Sequence, residues 1–118
     1  MVKNKETNLS DIINYISEIY KTKGEDAIYR DNGWCVYSSE NVISAETKCY
    51  VDEYPEFDED DNEIYSDFVK NNNLELLFRD EMIQDVIIAS LHQKSDATIE
   101  EIINALLYYE EYDTFLVI

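Results

Sequence analysis

The chain of 118 residues carries 9 Lys and Arg against 27 Asp and Glu, a formal net charge of −18. Its length fits one domain over residues 1–118, and 45 % hydrophobic with 13 % aromatic residues excludes a disordered acidic tail. A chain this acidic is repelled by phosphate backbones and anionic lipids, so the charge excludes direct nucleic-acid or membrane-surface binding and points to a basic partner.

Leu9, Ile12, Ile13, Ile16, Ile19 and Tyr20 recur at helical spacing, with Asn8 or Ser10 as N-cap and Gly24 as terminator. Ala27-Ile28-Tyr29-Arg30 and Trp34-Cys35-Val36-Tyr37 flank Asp31-Asn32-Gly33, which predicts a β-hairpin turning on Asn-Gly. A third strand is expected at Thr47-Lys48-Cys49-Tyr50-Val51, and Pro55 stops its continuation as a central strand. Ile64, Tyr65, Phe68 and Val69 predict a short helix from about Glu63 to Asn71. The alternation around Leu74, Leu76 and Phe78 predicts another strand. Asp80, the expected N-cap, then precedes a helical face of Ile83, Val86, Ile87, Ser90 and Leu91. Thr98 with Glu101 three residues on is a capping box for the last helix, whose stripe is Ile99, Ile102, Ile103 and Leu106. The apolar end Phe115-Leu116-Val117-Ile118 is expected to dock on the domain. The fold class is therefore α+β: a small, mostly antiparallel sheet, a hairpin plus one or two strands, packed against three to four helices.

Apolar runs such as Val86-Ile87-Ile88-Ala89 fall far short of the roughly 20 residues of a membrane span. Met1-Val2-Lys3-Asn4-Lys5-Glu6 has charge but no apolar stretch behind it, unlike a signal peptide. Cys35 and Cys49 read as reduced, buried thiols, and a soluble cytoplasmic domain is expected.

Little supports catalysis. No Cys-x-x-Cys or His-x-x-x-His pair offers zinc spacing. Asp58, Asp60 and Asn62 match the first ligand positions of an EF-hand loop, but Glu63 stands where Gly is needed and Val69 where a bidentate Glu is needed. His92 lies at the edge of an apolar helix face and reads as an ordinary helix residue rather than a general base. No nucleophile elbow or phosphate-binding glycine loop is present. No enzyme activity, metal or cofactor is expected.

The charge is concentrated instead. Asp52 to Glu63 packs 8 acids into 12 positions without a Lys or Arg. Tyr50, Tyr54, Phe57 and Tyr65 are interleaved with it; tyrosine buries much area at little entropic cost, and acids around such anchors speed association with a basic partner. Tyr108, Tyr109, Glu110, Glu111, Tyr112 and Asp113 repeat that chemistry at the end of the last helix, with Tyr109 and Tyr112 expected on one face. The candidate partner-binding residues are Asp52, Glu53, Tyr54, Glu56, Phe57, Asp58, Glu59, Asp60 and Asp61, with Glu110, Glu111 and Tyr112 behind them. The plainer reading of the acidic run is a solvated loop that improves solubility.

The stretches Thr47–Val51, Ile83–Ile87, Gln93–Thr98 and Ala105–Tyr109 resemble a small acidic bacterial family similar to the immunity proteins of contact-dependent growth inhibition and other polymorphic toxin systems. The resemblance covers mainly residues 47–115 and rests on packing and capping patterns, so it transfers no binding residue. It implies a stoichiometric inhibitor of a basic toxin domain, a nuclease C-terminal domain in many such systems, with the acidic run occupying the cleft that grips phosphate. A phage-type nucleic-acid mimic acting on a host nuclease, and a non-catalytic accessory domain, are the alternatives.

Overall fold

The computed structural model describes residues 2–118, which leaves Met1 of the charged start outside the described residues. The fold is α+β. In chain order the elements are β1 (Thr7–Asn8), α1 (Leu9–Lys23), α2 (Glu25–Arg30), β2 (Cys35–Ser38), β3 (Lys48–Asp52), β4 (Glu56–Phe57), β5 (Glu63–Ile64), α3 (Asp67–Asn71), β6 (Glu75–Arg79), α4 (Asp80–Gln93) and α5 (Ile99–Tyr112). The main sheet has the order β1-β3-β2-β6 with every pair antiparallel, and β4 and β5 form a separate two-stranded ribbon.

Two layers of side chains flank the sheet, and period-two alternation assigns residues to them. Val36, Cys49, Val51 and Phe78 face α1, α4 and α5 and join Leu9, Ile12, Ile13, Ile16, Ile83, Ile87, Ile102 and Leu106 in the main core. Cys35 and Tyr37 point the other way and pack with Val69, Tyr54, Tyr65, Leu74 and Leu76 in a second, smaller cluster. All four residues of β2 are buried in consequence. The chain between β3 and β6 therefore roofs the sheet's second face.

The predicted hairpin over Ala27–Tyr37 does not form. Ala27–Arg30 belongs to α2, and Asp31-Asn32-Gly33 caps that helix: Asp31 N donates to Ile28 O at 3.1 Å and Asn32 Nδ2 to Tyr29 O at 2.7 Å. Gly33 has φ 84° while Asn32 has no positive φ, so the pair lacks the two left-handed residues a type I′ turn requires. Glu25 and Asp26 in the first turn and the burial of Ile28 on the main core favour the helix. The helix expected from Glu63 is likewise shorter. Glu63–Ile64 is β5, and α3 begins only after Ser66, whose Oγ accepts from Val69 N at 3.2 Å.

Helices α1, α4 and α5 and strands β3 and β6 lie close to the expected spans, whereas β1 and the β4–β5 ribbon were not expected. Thr98 Oγ1 accepts from Glu101 N at 3.2 Å, and Glu101 Oε1 accepts from Thr98 N at 3.0 Å, completing the capping box. The C-terminal end docks through Gln93, which donates to Leu116 O and accepts from Ile118 N, each at 3.0 Å, while Val117 points outward. Cys35 and Cys49 are free and buried. Among the described residues, no helix is long and apolar enough to cross a membrane.

Candidate functional site

The acidic stretch leaves β3 and returns to the sheet as a pinned excursion. At its base, Ser66 Oγ donates to Asp52 Oδ2 at 2.6 Å and Glu53 N donates to Asp52 Oδ1 at 2.8 Å. Tyr37 Oη reaches through to Glu53 O at 2.6 Å, and the Tyr65 ring meets Tyr37 edge-on at 6.1 Å between centroids. Beyond this base stands the β4–β5 ribbon, with Glu56 opposite Ile64 and Phe57 opposite Glu63.

The ribbon's tip is organised by its own acid. Asp58 Oδ1 accepts from Asp60 N and Asn62 N, both at 2.9 Å, and Asp61 takes a left-handed φ of 60°. Those backbone donors, Asn62 first, hold the Asp58 carboxyl below the usual carboxylate range. The residues that suggested the start of an EF-hand thus form an Asx-type turn. Among the described residues, no group of three or more His, Cys, Asp or Glu is arranged to hold a metal ion.

The candidate partner-binding residues divide by exposure. Glu53, Glu56, Phe57, Asp58, Glu59, Asp60 and Asp61 are exposed, and Phe57 stands 61 % open to solvent. Asp52 does not belong with them: it is 4 % exposed and its carboxylate serves Ser66 and Glu53, so it fastens the excursion and cannot meet a partner. Tyr54 is half-buried, with its hydroxyl donated to Asp80 Oδ1. Tyr50 packs edge-on against Phe68, and the Tyr65 hydroxyl donates to Glu63. Three of the four interleaved aromatics are therefore engaged internally, leaving Phe57 as the exposed one.

Glu110, Glu111 and Tyr112 form a second surface at the end of α5. Tyr108 stacks on Tyr112 with centroids 4.6 Å apart, whereas Tyr109 turns to Phe115 at 5.1 Å. The expected Tyr109–Tyr112 pairing is thus replaced by an i,i+4 pair. Partial burial pushes the Glu110 carboxyl up from its ordinary value. No hydrogen bond, ion pair or ring contact among the described residues joins this cluster to the ribbon.

A third polar centre is built on Asp80, which is not the expected N-cap: Arg79 holds that position, and Asp80 is the first residue of α4. Asp80 at the start of α4 is 2 % exposed, and it accepts from Gly33 N at 2.6 Å, Glu81 N at 2.7 Å and Tyr54 Oη. One carboxylate thereby ties the α2–β2 turn, the base of the acidic excursion and α4. Gln84, one turn further on, donates from Nε2 to Ile28 O at 3.1 Å and Asp31 O at 2.8 Å. Tyr29 Oη donates to Asp85 Oδ1 at 2.5 Å beside them. Burial, with the Asp80 and Asp85 partners second, raises the Tyr54 and Tyr29 hydroxyls far above the usual tyrosine range. These partners lie 26 to 56 residues apart in sequence, so no local pattern announces them.

No curated protein and no solved structure matches the chain. A family described as a domain of unknown function (DUF7716) matches residues 7–118, a span that takes in every element from β1 to α5. The chain belongs to that family, DUF7716.

Proposed function

We propose that this chain is a non-catalytic, cytoplasmic binding protein that neutralises a basic partner protein by occlusion, in the manner of an immunity protein facing a toxin domain. The observation that carries this reading is the β4–β5 ribbon. Its nine residues from Glu56 to Ile64 hold six carboxylates and no Lys or Arg, and they surround an exposed Phe57. Acids of one sign raise the encounter rate with a cationic cleft and reject acidic competitors. An aromatic ring at the centre supplies apolar area that charge alone does not. The ribbon is presented on a base fixed by Asp52, Ser66, Tyr37 and Tyr65, so little order has to be gained on docking. A toxic nuclease that grips phosphate needs such a cationic cleft, and the resemblance to immunity proteins points the same way.

The test is a calorimetric titration against the toxin domain encoded immediately upstream, at two salt concentrations. One-to-one binding that weakens with salt supports occlusion by the ribbon. Tight binding indifferent to salt moves the interface off the ribbon. Absence of such a gene, or of binding, overturns the immunity reading.

A further inference from the structure

The β4–β5 ribbon carries an apolar side chain on each of its two faces. Residues directly opposite in an antiparallel pair project to the same side, and consecutive residues of one strand project to opposite sides. Glu56 stands opposite Ile64, and Phe57 stands opposite Glu63. Ile64 with Glu56 therefore occupies one face, and Phe57 with Glu63 the other. Phe57 is 61 % exposed and Ile64 is 43 % exposed, so neither face is laid against the domain.

The fold gives these two side chains little to do. Every residue from Glu56 to Ile64 is exposed, and neither Phe57 nor Ile64 belongs to either core cluster. Standing on opposite faces, they do not stabilise the ribbon as a cross-strand pair either. Contact with one flat surface covers one of them and leaves the other in water.

We propose that the ribbon enters a cleft of its basic partner and is gripped on both faces, with Ile64 as a second anchor behind Phe57. The inference rests on the occlusion proposed above, and it adds the shape of the partner's site and a residue that the acidic run alone does not single out. Each anchor has a carboxylate directly across the ladder, so each wall of the cleft presents apolar surface beside a cation. Glu63 also accepts the Tyr65 hydroxyl, which steadies the ribbon on its base. The tip, with Asp58 held by its backbone donors and Glu59, Asp60 and Asp61 exposed, leads into the cleft. A second copy of the chain does not fit, because it brings six further ribbon carboxylates against these six. Strand addition at the ribbon's edge does not fit either, since each strand is two residues long.

The test uses the basic domain encoded immediately upstream, the probe of the titration above, with full-length protein labelled at isoleucine methyls and phenylalanine rings. A soluble paramagnetic agent should relax Phe57 and Ile64 in the free chain, and both should be shielded in the complex. In parallel, Phe57→Ala should speed dissociation about tenfold or more and Ile64→Ala about fivefold or more. The salt dependence of association should not change, because neither substitution alters a charge. Ile64→Val should keep most of the affinity, and the amides of Asp60 and Asn62 report whether the tip is intact in each variant. Shielding is read on the unaltered chain, so it decides even where a substitution loosens the ribbon. A complex that leaves Phe57 or Ile64 open to the agent overturns the two-faced grip and leaves occlusion from one side standing. Unchanged binding by either alanine variant does the same. No binding by the unaltered chain overturns the occlusion reading and this inference with it.

Discussion

The Ser66 hydroxyl donates to the Asp52 carboxylate at 2.6 Å, and this one bond joins the two ends of the acidic excursion. Ser66 also accepts from Val69 N as the cap of α3, so a single oxygen closes the loop and starts the helix behind it. The most charged part of the chain is thereby held down by a carboxylate that the solvent does not see.

Ser66→Ala should consequently destabilise the fold out of proportion to its size. It removes a helix cap and strips Asp52, 4 % exposed, of its side-chain donor. Together these predict a loss of about 2 kcal/mol, read as a lowered urea midpoint at unchanged slope. Ser66→Thr keeps the hydroxyl and should recover most of the loss. Equal effects of the two substitutions would show that the bond does not hold the base.

Gly33 gives a cleaner backbone test. Its φ of 84° lies in the left-handed region, and a Cβ added there meets nothing within 4 Å. Gly33→Ala therefore introduces no clash, and its penalty of about 1–2 kcal/mol comes from backbone conformation alone. Because Gly33 N donates to Asp80, the strain should also appear in the amide exchange of Gly33 and Glu81, which share that carboxylate. Gly33→Asn should cost less, since asparagine tolerates this conformation.

These positions also mark where the sequence was legible. The capping box of Thr98 and Glu101 was readable because donor and acceptor sit three residues apart and act on each other. The stripe of α1 was readable because one face repeats for four turns before Gly24 stops it. Ala27–Arg30 was misread because the six residues of α2, Glu25–Arg30, are too few for a period, and Asn-Gly serves a helix end as well as a hairpin. Tyr54 was read as a partner-binding aromatic, and its pairing with Asp80 across 26 residues is created by the fold alone. The charge of the ribbon was visible in the residues, but the division between buried Asp52 and exposed Glu56–Asp61 depends on which face of β3 the chain leaves.

Stability should fall in alkaline solution before the chain is chemically stressed. Burial pushes the Cys35 thiol up to about 11 and the Cys49 thiol up to about 12, against an ordinary value of 9.0. Below pH 9.0 both thiols stay protonated whether the chain is folded or unfolded, and the stabilisation is fully present. As pH rises further, the unfolded thiols ionise while the folded ones keep their protons, so the unfolded state is favoured. Tyr29, Tyr37 and Tyr54, raised chiefly by burial, add to the same slope above 10.0. Urea midpoints between about pH 8 and about pH 10.5 should decline steadily, and less steeply in a Cys35→Ala, Cys49→Ala variant. A midpoint that rises across this window would contradict the buried, protonated thiols.

The ribbon should be dispensable for folding and indispensable for docking. Its strands β4 and β5 are two residues each, every residue from Glu56 to Ile64 is exposed, and Asp58 organises the tip without help from the rest of the fold. Replacing residues 57–63 by a two-residue Asn-Gly turn deletes Phe57 and five carboxylates while sparing Asp52, Tyr54, Tyr65 and Ser66. The near-ultraviolet circular dichroism, dominated by Trp34 and the packed tyrosines, should be nearly unchanged. The urea midpoint should hold or rise, because a cluster of like charges has been removed. Binding to the proposed basic partner should weaken by about a hundredfold or more, with a flatter salt dependence, as expected when both an aromatic anchor and its steering charges are lost. Charge reversal by Glu56→Lys, Glu59→Lys and Asp60→Lys spares Phe57 and Asp58, and should mainly slow association at low salt. A shortened variant that binds as tightly as the intact chain would move the interface away from the ribbon, with the Glu110–Glu111–Tyr112 surface of α5 next to be altered.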